Sequence, residues 1–245
     1  MKYIVLDTET TGMEEEDRII QLSYFILENG KETIIHNEYC KAPVDIRYEA
    51  MAAHHITPEM VDGKPEFCNT SATKTLYELN EPENYLFAHN ASFDLDMLKK
   101  EGFECKMKIV DTLRCARHLF PENDYHSLQY FRYALGLYRT EKEQAKKIGL
   151  NIQAHDALSD VFVLKMFISE LTKMLSPEYK GIDAIKHLVE LSNTPVYYAK
   201  PLRFGKYKGK TLKEIAENDL GYLQWAFQNM DNLDEDMKWS IQKHL

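Results

Sequence analysis

The chain has 245 residues, with 30 Lys and Arg against 39 Asp and Glu and a formal net charge of −9. That balance excludes a strongly basic nucleic-acid coat protein, and 44% hydrophobic with 28% charged residues excludes a mainly disordered chain. No apolar run approaches the ~18 residues that cross a bilayer, and the opening Met1-Lys2-Tyr3 leads into a short run ending on an acid; we expect a soluble, unsecreted protein with no membrane partner.

Lys2 to Asp7 is a β-branched run that ends on an acid, the pattern of a buried strand whose tip reaches a site. Thr10-Thr11-Gly12 and an acidic loop, Glu14 to Asp17, follow it. Arg18 to Leu27 and Lys31 to Tyr39 read as two further strands joined through Asn29-Gly30, a strong hairpin signal. From Tyr48 the pattern is helical, and Thr57-Pro58 sets a cap before a first-turn proline. Asn69 to Leu79 is another helix. Tyr85 to Ala88 is a fourth strand, leading to Ser92-Phe93-Asp94 and a helix that stops near Gly102. Lys108 to Val110 is a fifth, with Asp111 as the N-cap of the helix after it. Ser127 to Leu135 is helical with Gly136 as its stop, and the apolar spacing from Leu158 to Leu171 makes Asp156 to Met174 a long helix. Three antiparallel strands followed by alternating helices and strands predict an α/β fold, a mixed five-stranded sheet flanked by helices.

We expect residues 1–176 to form the main domain, 177–194 a connector, and 195–245 a small α+β module. Residues 195–245 carry eight cations and seven acids, so the first 194 hold a net −10. The four cysteines, Cys40, Cys68, Cys105 and Cys115, form no C-x-x-C pair. They suggest neither a zinc site nor a disulfide framework, and read as reduced thiols of a cytoplasmic protein.

Asp7-Thr8-Glu9 puts two acids at i and i+2, on the same side of an extended strand end. Asp94 stands in the first turn of a helix, where the helix dipole favours negative charge. Asp160 lies one turn into a helix of mostly apolar neighbours, an expensive place for an acid that lacks a partner or a metal. His155 precedes that helix by enough to swing over the same site. Four carboxylates on strand ends and helix starts describe an oxygen-rich site for two Mg²⁺ or Mn²⁺ ions. Two such ions about 3.5 to 4 Å apart suit hydrolysis of a phosphodiester, and a neutral imidazole with a pKa near ~6.5 suits proton removal from the attacking water.

Asp7-Thr8-Glu9-Thr10-Thr11-Gly12, Ala88-His89-Asn90-Ala91-Ser92-Phe93-Asp94 and His155-Asp156-Ala157-Leu158-Ser159-Asp160 resemble, in order, the three motifs of the DEDD superfamily of 3′–5′ exonucleases. Histidine five residues before the last acid resembles the histidine subclass; the tyrosine subclass would carry Tyr where Asp156 stands. Ala50 to Thr57, Phe204 to Lys210 and Gly221 to Trp225 resemble one bacterial branch of these enzymes, so the likeness covers nearly the whole chain. It leaves the loop from Lys142 to Asn151 without a counterpart. The resemblance implies a ribonuclease-H-like fold, Asp7, Glu9, Asp94 and Asp160 as metal ligands and His155 as general base. It implies DNA with a free 3′ end as substrate and nucleoside 5′-monophosphates as products.

Other residues are assigned on the same footing. Thr10 and Thr11 are expected to bring backbone N–H groups to a terminal nucleotide and Met13 to press on the last base. His89, Asn90 and Phe93, in the second motif, are candidate substrate contacts: Asn90 and Phe93 are expected to position Asp94 and pack the core, and Phe93 is also a candidate to stack on a base. Asp96, Asp111 and Asp156 read as capping or solvated acids, and His54 with His55 as a helix-surface pair. Gln21 to Phe25 resembles a sliding-clamp peptide but falls inside a strand, out of a partner's reach. Tyr197, Tyr198, Phe204 and Tyr207 interleave with Lys200, Arg203, Lys206, Lys208 and Lys210, a mixture suited to phosphates and exposed bases, with Lys206, Tyr207 and Lys208 as candidate contacts. No protein partner is indicated. Two other readings stay open: an exoribonuclease of the same fold, because nothing in the sequence reports on a 2′-hydroxyl, and a non-catalytic nucleic-acid-binding module.

Overall fold

A computed structural model of the chain describes residues 1–150, 157–203, 205–230 and 233–245. These divide into two compact units, Met1–Ala116 with Asn123–Ser192 and Arg117–Glu122 with Asn193–Leu245.

The first unit is built on β1 (Tyr3–Thr10), β2 (Ile19–Leu27) and β3 (Ile34–Tyr39), followed by α1 (Tyr48–His54), α2 (Pro58–Val61), α3 (Ser71–Glu78), β4 (Tyr85–Ala88), α4 (Ala91–Lys100), β5 (Lys108–Asp111) and α5 (Thr112–Leu119). After these come α6 (Leu128–Ala134), α7 (Glu141–Lys147), α8 (Ala157–Leu175) and α9 (Ile182–Asn193). The sheet order is β3-β2-β1-β4-β5, antiparallel among the first three strands and parallel from β1 to β4 to β5. This is the mixed five-stranded sheet that the strand pattern predicts. The third strand is shorter than expected: its ladder starts at Ile34, opposite Ile26, and Gly30 takes a left-handed φ of 74° in the turn before it.

Alternation along β1 decides what the sheet touches. Ile4 and Leu6 join Leu22, Tyr24, Leu86, Leu76 and Leu98 in one core cluster, under α3 and α4. Val5 and Asp7 face the other way. On that side Phe25 meets Phe162 of α8 edge-on at 6.4 Å, and Phe167 of α8 stacks on Phe131 of α6 at 4.7 Å. Between Gln21 and Ile19 the β1–β2 ladder carries a bulge: Glu9 pairs with Gln21 and Thr10 with Ile19, leaving Ile20 as the extra residue. Ile20 packs instead with Ile46, Ile56 and Val61, beside α1 and α2.

The stretch without a counterpart in the resemblance is not simply a loop, since Glu141–Lys147 is helical. Its Glu141 is buried and takes two bonds from Arg132, Nε to Oε2 at 2.7 Å and Nη2 to Oε1 at 2.5 Å.

The second unit holds α10 (Leu212–Asn229) and α11 (Glu235–Gln242) around a small core of Leu202, Leu212, Ile215, Leu223, Met237 and Ile241. Thr211 and Glu214 form a capping box at the start of α10. The expected α+β character lacks its β half: among the described residues this unit contains no strand, only one hairpin-like rung in which Leu202 N–H bonds Lys210 O and Gly209 N–H bonds Leu202 O, each 2.8 Å. Gly209, at φ 87°, closes that turn. Among the described residues no helix is long and apolar enough to cross a membrane.

Candidate active site

The four acids come from three elements. Asp7 and Glu9 end β1, Asp94 stands in the first turn of α4, and Asp160 in the first turn of α8. They meet because α4 and α8 cover opposite faces of the sheet and both begin at the end where β1 finishes. Asp7 feels all the others. Desolvation and the negative charges of Asp94, Glu9 and Asp160 hold its carboxyl well above the ordinary range. Burial likewise pushes Asp94 up to about 7, against the pull of bonds from Thr8 N–H at 3.1 Å and Thr8 Oγ1 at 2.7 Å. Asp160 accepts a bond from Gln129 Nε2 at 2.6 Å, and Arg132 Nη1 holds the other end of that amide at 3.1 Å.

Two of the four carboxylates lean on a neutral partner, Asp94 on Thr8 and Asp160 on Gln129. Among the described residues no three His, Cys, Asp or Glu side chains close into a metal cage. The donor set is nevertheless all oxygen and all anionic, the chemistry of a hard divalent cation rather than of a thiolate or imidazole site. The polar layer continues across the sheet: Ser23 lies opposite Asp7 and Gln21 opposite Glu9, and both bond Asn37 Oδ1 at 2.7 Å.

Above β1, the Thr10–Arg18 loop is tied inward. Thr10 Oγ1 donates to Gly12 O at 2.7 Å, Thr11 Oγ1 to Asp17 Oδ1 at 2.8 Å, and Thr11 N–H to Arg18 O at 2.9 Å. Both threonine hydroxyls thus fasten the loop, and the Thr11 N–H expected to face a substrate is taken by Arg18 O. Despite desolvation, bonds from Thr11, the Glu14 N–H and Arg47 hold Asp17 below the usual carboxylate range. The Arg47 guanidinium also reaches Glu16. Gly12 lies against this clasp: a Cβ there would stand 2.4 Å from Asp17 Oδ2 and 2.6 Å from Arg47 Cδ. Asp17 is pinned and cannot yield. Gly12→Ala is therefore expected to destabilise the protein by about 2 kcal/mol. A urea titration with an unshifted midpoint would contradict this.

Met13, by contrast, is 81% exposed. With Phe93, Asp96 and Lys99 it lines a groove of about 600 Å³ beside Asp94's helix. His89 is turned inward, Nδ1 to Thr112 Oγ1 and Nε2 to His126 O, each 2.9 Å. Asn90 adopts a left-handed φ of 74° at the start of α4. Its strained turn is held by Asp111, which accepts from Asn90 N–H at 3.2 Å, Ala91 N–H at 3.2 Å, Leu113 N–H at 2.9 Å and Arg114 N–H at 3.3 Å. Asp111 thus caps the following helix as expected and fixes the Asp94 helix as well. In the second unit, Lys206 Nζ and Tyr207 Oη both bond Asp219 Oδ2, at 3.1 and 2.5 Å, while Lys208 is exposed. His155, Asp156 and Phe204 lie outside the described residues.

His54 corrects the expectation of a helix-surface pair. It is buried; Ile56 N–H donates to its Nδ1 at 2.9 Å, so the proton sits on Nε2 and goes to Thr10 O at 3.1 Å. Burial lowers its pKa, which keeps it neutral in this role. His55, at φ 61°, ends α1. The sequence reading missed Gln129 as the partner of Asp160, and no spacing signal links residues so far apart. Thr8 was visible between the two acids, but as a spacer.

Residues 4–165 match a family model described as exonuclease, and residues 202–231 one described as exodeoxyribonuclease X-like C-terminal. The chain is 26% identical over 247 residues to exodeoxyribonuclease 10 of Escherichia coli K12, covering 98% of this chain and 97% of that protein. It is 31% identical over 144 residues to the DNA polymerase III subunit epsilon of Treponema pallidum, covering 54% and 63%. Among solved structures it is similar to exonuclease X in complex with 5′ overhanging duplex DNA, with TM-score 0.55, 20% identity and coverage of 78% of this chain and 99% of that one. A zinc-bound exonuclease I complex with single-stranded DNA from E. coli aligns with TM-score 0.50 and 21% identity, over 76% and 42%. At these identities the solved structures support the fold, the ribonuclease-H-like arrangement anticipated above.

Proposed function

The chain belongs to the exonuclease family, and on that premise we propose that it is a metal-dependent 3′–5′ exodeoxyribonuclease releasing nucleoside 5′-monophosphates from DNA 3′ ends. The observation that carries this reading is Asp7 at the end of β1, in the combined field of Glu9, Asp94 and Asp160. DNA as substrate is favoured by the near full-length likeness to a protein named exodeoxyribonuclease.

Asp7, Glu9, Asp94 and Asp160 would hold two divalent ions, Mg²⁺ or Mn²⁺ by the hardness of their oxygens. Bound there, such ions polarise a phosphodiester and activate water. Thr8 orients Asp94, and Gln129 orients Asp160. Because burial holds Asp94 up at about 7, affinity for a dication at this site would rise with pH. His155 takes the proton of the attacking water. Met13 and Phe93 meet the terminal base across the groove that they share. We place this activity in the cytoplasm, where the four free thiols stay reduced.

A 5′-labelled oligonucleotide should give a descending ladder with Mg²⁺ and none with EDTA. No hydrolysis of DNA in either Mg²⁺ or Mn²⁺ would refute the reading, and equal rates on a matching RNA strand would move it to an exoribonuclease of the same fold.

We assign residues 1–176 to catalysis and 195–245 to DNA holding; within the expected 177–194 connector, α9 docks on the first unit, where Ser192 Oγ accepts from the Asp111 N–H at 2.8 Å. Lys206 and Tyr207, tied to Asp219, brace the arm on which Arg203 and Lys208 stand exposed. Replacing Arg203, Lys206 and Lys208 with Ala should flatten the dependence of log affinity on log salt by about 2. An unchanged slope across a salt titration would remove the module from the interface.

A further inference from the structure

The region around α6 shows more aromatic surface than a fold needs. Tyr125, Tyr133 and Tyr138 are 66%, 60% and 42% exposed. The helix is already anchored by Phe131, fully buried on Phe167, so its outer tyrosines are not there for the core. They are arranged in pairs. The rings of Tyr133 and Tyr138 are 5.5 Å apart, and those of Tyr125 and Tyr130 6.0 Å apart. Arginines flank the first pair: the Arg132 guanidinium lies 5.5 Å over Tyr133, and that of Arg139 5.6 Å over Tyr138. Single exposed aromatics are ordinary, but three within fourteen residues, with the half-buried Tyr130 behind them and cations beside them, form a patch with a ligand chemistry.

Its position indicates the ligand. Gln129, on the same helix and exposed like Tyr133, donates to Asp160 Oδ1 at 2.6 Å. One turn of helix, about 6 Å of rise, separates Gln129 from Tyr133, the span of one or two nucleotides. The aromatic surface therefore begins where a strand leaves the carboxylates.

We propose that Tyr125, Tyr130, Tyr133 and Tyr138, with Arg132 and Arg139, form a platform on which the unpaired bases behind a 3′ terminus stack. This rests on the nuclease reading and adds the form of its substrate. Every base has a π face, so the platform is tolerant of sequence; bases within a duplex have theirs covered, so it selects single strands. Arg139, on the exposed end, supplies a cation for a phosphate.

Binding of 5′-fluorescein-labelled dT12 and of a twelve-residue abasic strand to the full-length protein in EDTA tests this without cleavage. Tyr133→Ala with Tyr138→Ala should weaken dT12 binding on the order of 30-fold, from stacking at about 1–3 kcal/mol per base. Wild type should discriminate dT12 from the abasic strand by a similar factor, and the double variant by less than about threefold. The double Phe variant should bind like wild type, which separates stacking from misfolding. Unchanged dT12 affinity in the Ala variant, or equal discrimination against the abasic strand in both proteins, would overturn the platform. A strand held through the tyrosines and cut with neither Mg²⁺ nor Mn²⁺ would refute the nuclease reading alone.

Discussion

Asp7→Asn should lower the rate of DNA 3′-end hydrolysis by at least about 10³-fold while raising the thermal stability of the metal-free protein by a few degrees. The two effects have one source. Asp7 is desolvated and surrounded by Asp94, Glu9 and Asp160, so its charge costs folding free energy and is kept only where a cation can bind it. The neutral amide preserves the shape and removes the repulsion. Labelled-oligonucleotide rates and melting curves in EDTA together check this. Loss of activity with a lower melting temperature would mean that Asp7 supports the fold, and retained activity would take it out of the metal set.

Glu141→Ala should lower stability by about 3 kcal/mol, a shift in melting temperature on the order of 10 °C for a chain of this size. Glu141 is buried against a forked Arg132, and removing it strands a guanidinium that is itself only 18% exposed. The loss also travels: Arg132 steadies Gln129, and Gln129 steadies Asp160. Activity measured well below the melting temperature should therefore fall too. Calorimetry showing a shift under 2 °C would contradict the stranded-charge argument.

The parts legible in the sequence are those fixed by local pattern. The apolar run from Ile4 to Leu6 ending on Asp7, the Asn29-Gly30 turn and the apolar stripe from Leu158 to Leu171 each specify their element within a few residues, and the five strands follow. The four acids were legible because each falls at a strand end or helix start, where alternation or dipole says which way it points. What was hidden depends on pairings distant in sequence. The burial of His54 is set by the carbonyl of Thr10, 44 residues away, and Gln129 meets Asp160 across 31. Surface spacing on a short helix carries no trace of either. The bonds of the Thr10–Thr11 turn were hidden for a related reason: a hydroxyl satisfied by Asp17 looks, in sequence, the same as one offered to a ligand.

The bulge at Ile20 gives the site two independent mounts. Glu9 and Asp7 keep their regular pairing with Gln21 and Ser23, while the extra residue commits its side chain to the Ile46, Ile56 and Val61 cluster and its carbonyl to the Cys40 N–H at 2.9 Å. That cluster underlies α1 and α2, whose His54 props the Thr10 carbonyl. The site carboxylates and the loop above them thus answer to different parts of the scaffold. Mutations around Ile20, Ile46 and Ile56 can therefore shift the loop without turning an acid off its face, so the two can change separately in evolution.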